Sequence, residues 1–249
     1  MLSLLKYFNY TPPKIIPGQY GNITVEKGYN CYFLKENGNQ WMVYNVDSHE
    51  EVYDVFSHYF FSRGHVTVTG LGFGARENWI LTKPEVTKLT IIERNENILK
   101  YHEQIKSPFL KDPRVEIIIS DASEYKINCD VLLLDHYETE PYDYILNDVR
   151  KIQFNSNCNV LWFWPLERII MHCRKWHSDN DPPYNLISKH KAYNLIKKNH
   201  NLYKLPNISE DDINLFCMLY NSKLFSQSNK YLETVFSDRK VFHDIYINI

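Results

Sequence analysis

Apolar and polar positions alternate in three short runs near the start of the chain, at residues 22–26, 29–35 and 40–46. Alternation at a period of two marks half-buried strands. Lys27-Gly28 and Asn37-Gly38 between the runs are turn pairs, so the pattern predicts a small antiparallel meander. After Asp47 the period lengthens. Val52, Val55, Phe56, Tyr59 and Phe60 recur at helical spacing, and Ser48 with Glu51 is spaced as a capping box, which predicts a helix ending near Arg63. From His65 onward short apolar runs at 66–69, 88–93, 115–120, 130–135 and 159–164 are separated by helical segments. Strands interleaved with helices predict an α/β fold, a parallel sheet covered on both faces. Further helices are expected at 166–176, 186–199 and 209–220, and a last strand at 241–247. The division that follows is a meander (1–47), a Rossmann-like core (48–165) and a mainly helical C-terminal part packed on it (166–249).

Composition narrows the function. Hydrophobic residues make up 44% and charged residues 23% of the 249 positions, and the net charge is -2. Such a balance gives no broad electrostatic attraction to nucleic acid or to an anionic membrane, so neither is an expected partner. No apolar run approaches the roughly 20 residues that span a bilayer, and residues 1–10 are too short and too aromatic for a secretory signal, which predicts a cytoplasmic protein. The five cysteines are odd in number and widely spaced, so they read as reduced thiols, neither a disulfide framework nor a zinc site.

The strand ends carry the chemistry. The first strand of the alternating region runs into Gly70-Leu71-Gly72-Phe73-Gly74-Ala75, a glycine turn that lets a cofactor lie against the main chain. The second strand ends at Glu93, close to the roughly 20-residue offset at which an acid meets ribose hydroxyls. The third ends in Ser120-Asp121-Ala122 and the fourth in Asp135-His136-Tyr137-Glu138. Acids at three successive strand ends collect at the carboxyl edge of the sheet, where ligands of open α/β folds sit. Asp121 is placed to accept a hydrogen bond from an adenine amino group. Asp135 is placed to face a reacting centre and to take a proton from an attacking amine.

Residues 70–74 followed by Ile80-Leu81-Thr82-Lys83-Pro84-Glu85, then Asp112-Pro113-Arg114-Val115 and Asp130-Val131-Leu132-Leu133-Leu134-Asp135, resemble the spermidine synthase branch of the class I S-adenosylmethionine-dependent methyltransferases. The resemblance covers about residues 65–141. It implies S-adenosylmethionine or decarboxylated S-adenosylmethionine as cofactor, held by Gly70, Leu71, Gly72, Gly74, Glu93, Asp121, Ala122 and Asp135. It further implies Asp135 and Glu138 as catalytic carboxylates toward a small amine, and by analogy a homodimer. Three positions depart from the family. Glu138 and Thr139 stand where it has an aspartate and a proline, and Phe73 stands where it has the aspartate that holds the decarboxylated cofactor. Aminopropyl transfer and methyl transfer therefore both stay open, and no role falls to Arg76 and Glu77, which are displaced by two residues from the family's Arg-Glu pair. A non-catalytic binding protein that retains the fold is the alternative.

Other signals read as structural. Asp181-Pro182-Pro183-Tyr184 spells a base-binding tetrapeptide, but polar residues precede it, so a turn is expected. His172, Cys173 and His177 lack a fourth partner for a metal, and no metal is expected. The run Leu161-Trp162-Phe163-Trp164 reads as a buried strand whose end, Trp164, walls the pocket.

Overall fold

The computed structural model describes residues 9–47, 53–137, 142–176 and 187–222. Four antiparallel strands come first: β1 (Gly18–Tyr20), β2 (Ile23–Lys27), β3 (Cys31–Glu36) and β4 (Asn39–Asn45). The second to fourth are the three predicted runs. β1, only three residues long, is too short to show a period and was not expected. Asn37 and Gly38 both take positive φ, 51° and 82°, the backbone that a two-residue hairpin turn with right-handed strand twist requires.

The core follows as α1 (Phe56–Phe61), β5 (Gly64–Thr69), α2 (Ala75–Ile80), β6 (Val86–Glu93), α3 (Glu96–Ile105), β7 (Val115–Ile119), β8 (Ile127–Asn128), β9 (Val131–Leu134), α4 (Tyr142–Asn155), β10 (Ser156–Asn157) and β11 (Val160–Phe163). Five strands pair in parallel in the order β11-β9-β5-β6-β7. All five coincide with predicted strands. β8 and β10 form a separate two-residue parallel pair that the sequence did not announce. The predicted capping box at Ser48 and Glu51 and the strand at 241–247 lie outside the described residues.

The chain leaves β5 in opposite directions, toward β6 on one side and β9 on the other. That reversal opens a crevice at the carboxyl ends of β5 and β9, where Thr69 lies opposite Leu134. The central strands are sealed: Val66, Val68, Leu89, Ile91 and all of Val131–Leu134 are buried, so the loops at their ends stand on a rigid base. On α3 the buried residues Ile98, Tyr101, His102 and Ile105 fall on one face, and the Asn95 side chain caps the helix by accepting from Asn97 N.

α5 (Leu166–Trp176), α6 (Lys189–Asn199) and α7 (Glu210–Ser222) fall close to the predicted spans. They pack through aromatic rings. Phe216 of α7 meets Phe56, Phe60 and Phe61 of α1 and Trp162 of β11, and Trp162 stacks on Tyr193 of α6. No helix among the described residues is long and apolar enough to cross a membrane. The meander docks on the core through Asn22, whose side-chain oxygen accepts from Asn95 and Asn97, and through Glu36, which accepts from Asn95.

Candidate active site

The crevice is a cavity of about 740 Å³, within the roughly 300–1,000 Å³ span of small-molecule sites. Gly70, Leu71, Gly72, Gly74, Glu93, Asp121, Ala122 and Asp135 all line it, so the structure brings the predicted residues together, with Trp164 on the wall. Glu138 lies outside the described residues.

The glycines make the sharp turn the sequence predicted, and the protein's own packing also requires them. Gly70, Gly72 and Gly74 all have positive φ, at 72°, 50° and 73°. A Cβ at Gly70 would strike the Asp135 carbonyl oxygen, one at Gly72 would meet Met42 Sδ of the meander, and one at Gly74 would meet Phe109 and His102. The protein's own backbone and side chains, before any cofactor, demand glycine here. His102 supports the loop from below. Its Nε2 bonds the Gly72 carbonyl at 2.9 Å and its Nδ1 bonds Ser107 Oγ at 2.7 Å, so the neutral ring donates to the carbonyl and accepts from the hydroxyl. Burial pushes His102 down to about 4.

Glu93 is 5% exposed, and both its oxygens already accept from the backbone: Oε2 from Leu71 N at 2.9 Å, Oε1 from Asn95 N at 2.8 Å. It thus ties the glycine loop to the end of β6. Burial raises its carboxyl above the usual range, opposed by those two hydrogen bonds. Asp121 is exposed and closes a turn, with Oδ1 accepting from Ser123 N and Oγ. The Ser123 hydroxyl and amide hold it below the ordinary range.

Asp135 is ion-paired. Its Oδ2 receives Arg76 Nη1 at 3.0 Å, and Arg76, 6% exposed, also gives Nε and Nη2 to Glu77 Oε1 and Nη2 to the Gly70 carbonyl. Burial works against the charge on Arg76, but Glu77 and Asp135 more than offset it and the guanidinium is held cationic. Burial pushes Glu77 up, and among the described residues its Oε2 has no hydrogen-bond partner. Arg76 and Glu77, given no role by the sequence, are therefore at the centre of the site. Only folding reveals this, because α2 turns Arg76 back onto the end of β9.

A second polar group lies beyond Asp135. Thr69 Oγ1 accepts from Asp135 N and lies 2.6 Å from His136 Nδ1, while His136 Nε2 and the Tyr137 hydroxyl both reach Asp148 Oδ2, at 3.2 and 3.0 Å. Asp148 comes from α4, far from any strand end, and lines the cavity. Phe73 is sealed in, 1% exposed between Tyr44 and Tyr101. At the rim Arg94 stacks on Trp41 and pairs with Glu36. Seven carboxylates and two guanidiniums line the cavity, a formal excess of five negative charges in a chain whose net charge is -2.

No protein-family model matches the sequence, and no curated protein matches it. Solved structures do. Spermidine synthase from Thermotoga maritima aligns over 61% of this chain and 56% of its own at 20% identity, with a TM-score of 0.42. A probable spermidine synthase from Corynebacterium glutamicum aligns over 58% and 61% at 17% identity (TM-score 0.41), and a mitomycin 7-O-methyltransferase over 47% and 37% at 22% identity (TM-score 0.36). This chain spans 55–61% of the synthases' length. The parallel strand order, with the switch beside β5 and an antiparallel meander ahead of it, is the Rossmann-like α/β architecture the sequence predicted.

Proposed function

We propose that this chain is a transferase that holds S-adenosylmethionine or its decarboxylated form and passes an alkyl group to a small amine. The observation that carries the reading is one cavity at the topological switch point that gathers the glycine loop, Glu93, Asp121 and Asp135. The residues fit such a cofactor in size and in donor set. Asp121 and Ala122 would hold the adenine, Glu93 would offer its remaining lone pairs to the ribose hydroxyls, and the loop from Gly70 to Gly74 would hold the tail. When bound, the cofactor supplies a carbon on a cationic sulfur, an electrophile with a neutral leaving group.

The chain's part is alignment and charge. Asp135, fixed by Arg76, presents a carboxylate of known orientation to the reacting end of the cavity. The excess of carboxylates favours cationic contents, which suits a sulfonium and an amine together. Phe73 removes the loop's carboxylate and counts against a decarboxylated cofactor, whereas the acidic lining counts for it.

The test is product analysis by mass spectrometry. The protein is incubated with each cofactor and a panel of aliphatic amines. S-adenosylhomocysteine reports methyl transfer, and methylthioadenosine reports aminopropyl transfer. One of the two should accumulate, and Asp135→Asn, in protein that remains folded, should cut its rate on the order of 100-fold. Accumulation of neither contradicts a transferase for amines.

A further inference from the structure

We infer that Asp148 is the binding carboxylate for the acceptor, the group that receives the N–H of an aliphatic ammonium in the cavity. This rests on the transferase reading and adds to it a residue that no strand-end pattern points to.

The hydrogen-bond chain determines which oxygen is available. A carboxylate oxygen can only accept, so His136 carries a proton on Nε2 and donates it to Asp148 Oδ2. Thr69 Oγ1 accepts from Asp135 N and hydrogen-bonds His136 Nδ1. The Tyr137 hydroxyl donates to the same oxygen. Two donors therefore hold Oδ2, and among the described residues Oδ1 has none. With Oδ2 clamped by two donors and Oδ1 unfilled, the carboxylate is oriented and offers an acceptor oxygen to an incoming donor.

Position and charge agree with this. His136, Tyr137, Tyr144 and Trp164 line the cavity with Asp148 and Asp135, and among the described residues no guanidinium pairs with Asp148. Asp135 by contrast is committed to Arg76. An amine entering beside Asp135 thus finds one carboxylate taken by a guanidinium and one with an open oxygen, and its ammonium pairs with the latter. Tyr137 and His136 act through Asp148 as positioning residues.

Calorimetry of the full chain tests this with diaminobutane as probe. The probe is titrated into protein saturated with methylthioadenosine, with butanediol as the uncharged comparison. Wild type should bind the diamine and not the diol. Asp148→Asn keeps an acceptor oxygen for Tyr137 and His136 but removes the charge. It should weaken the diamine at least tenfold while methylthioadenosine binding and the melting temperature stay as in wild type. Asp143→Asn, exposed on the same helix, should change nothing. Diamine binding by Asp148→Asn as tight as wild type overturns the inference, as does a wild type that binds methylthioadenosine but no diamine. Failure of wild type to bind any adenosyl compound would instead count against the transferase reading itself.

Discussion

A guanidinium almost cut off from water holds together three parts of the site: Glu77 beside it, Asp135 across the crevice and the Gly70 carbonyl. Its replacement by a neutral side chain would strand Glu77, one of whose oxygens already has no partner among the described residues. Removing one member of a buried ion pair costs about 3–5 kcal/mol, so Arg76→Met should lower unfolding stability by that amount in a urea titration. A loss under 1 kcal/mol would mean that the pair is more hydrated than the structure has it. At this scale the sequence was half legible. Gly70, Glu93, Asp121 and Asp135 could be found because each sits at a fixed offset from a strand end. Arg76, His102 and Asp148 could not, because each acts on a partner from another element and no spacing along the chain encodes that meeting.

Elements explain why the loop keeps its shape. The glycine turn is held by β6 through Glu93, by α3 through His102 and by the meander through Met42, so three elements fix one backbone path. The helices behind it carry a buried acid. Glu167 in the first turn of α5 accepts from Trp162 Nε1 at 3.2 Å, and burial raises its carboxyl from 4.5 to about 7. A carboxyl raised on folding contributes stability that is full below its unfolded value and is lost as the pH rises through the folded one. The stability difference between wild type and Glu167→Gln should therefore change by about 3 kcal/mol between pH 4.5 and 7, with wild type losing ground as the pH rises. A pH-independent difference would show that Glu167 is not desolvated. The long periodic elements were legible, and α5 matched residue for residue. β1, β8 and β10, at two or three residues, carry no period and exist only because a neighbour pairs with them.

At the scale of the whole molecule, alternation of strands and helices was enough to predict the parallel sheet, and its order places the switch point where the acids gather. What the sequence could not show is that the meander roofs the loop, through Met42 on Gly72 and Tyr44 on Phe73, and so closes the crevice into a cavity. The central claim is that this cavity is built for an adenosyl sulfonium compound. Glu93 is a poor site for a control substitution, since it also braces the loop, whereas Asp121 is exposed and holds only a local turn. Isothermal titration calorimetry with S-adenosylmethionine, its decarboxylated form, S-adenosylhomocysteine and methylthioadenosine is the direct measurement. The account predicts that at least one binds in the micromolar range or tighter, on the order of -8 kcal/mol, and that Asp121→Ala weakens it about tenfold. Absence of binding by all four to the folded wild-type protein would contradict it.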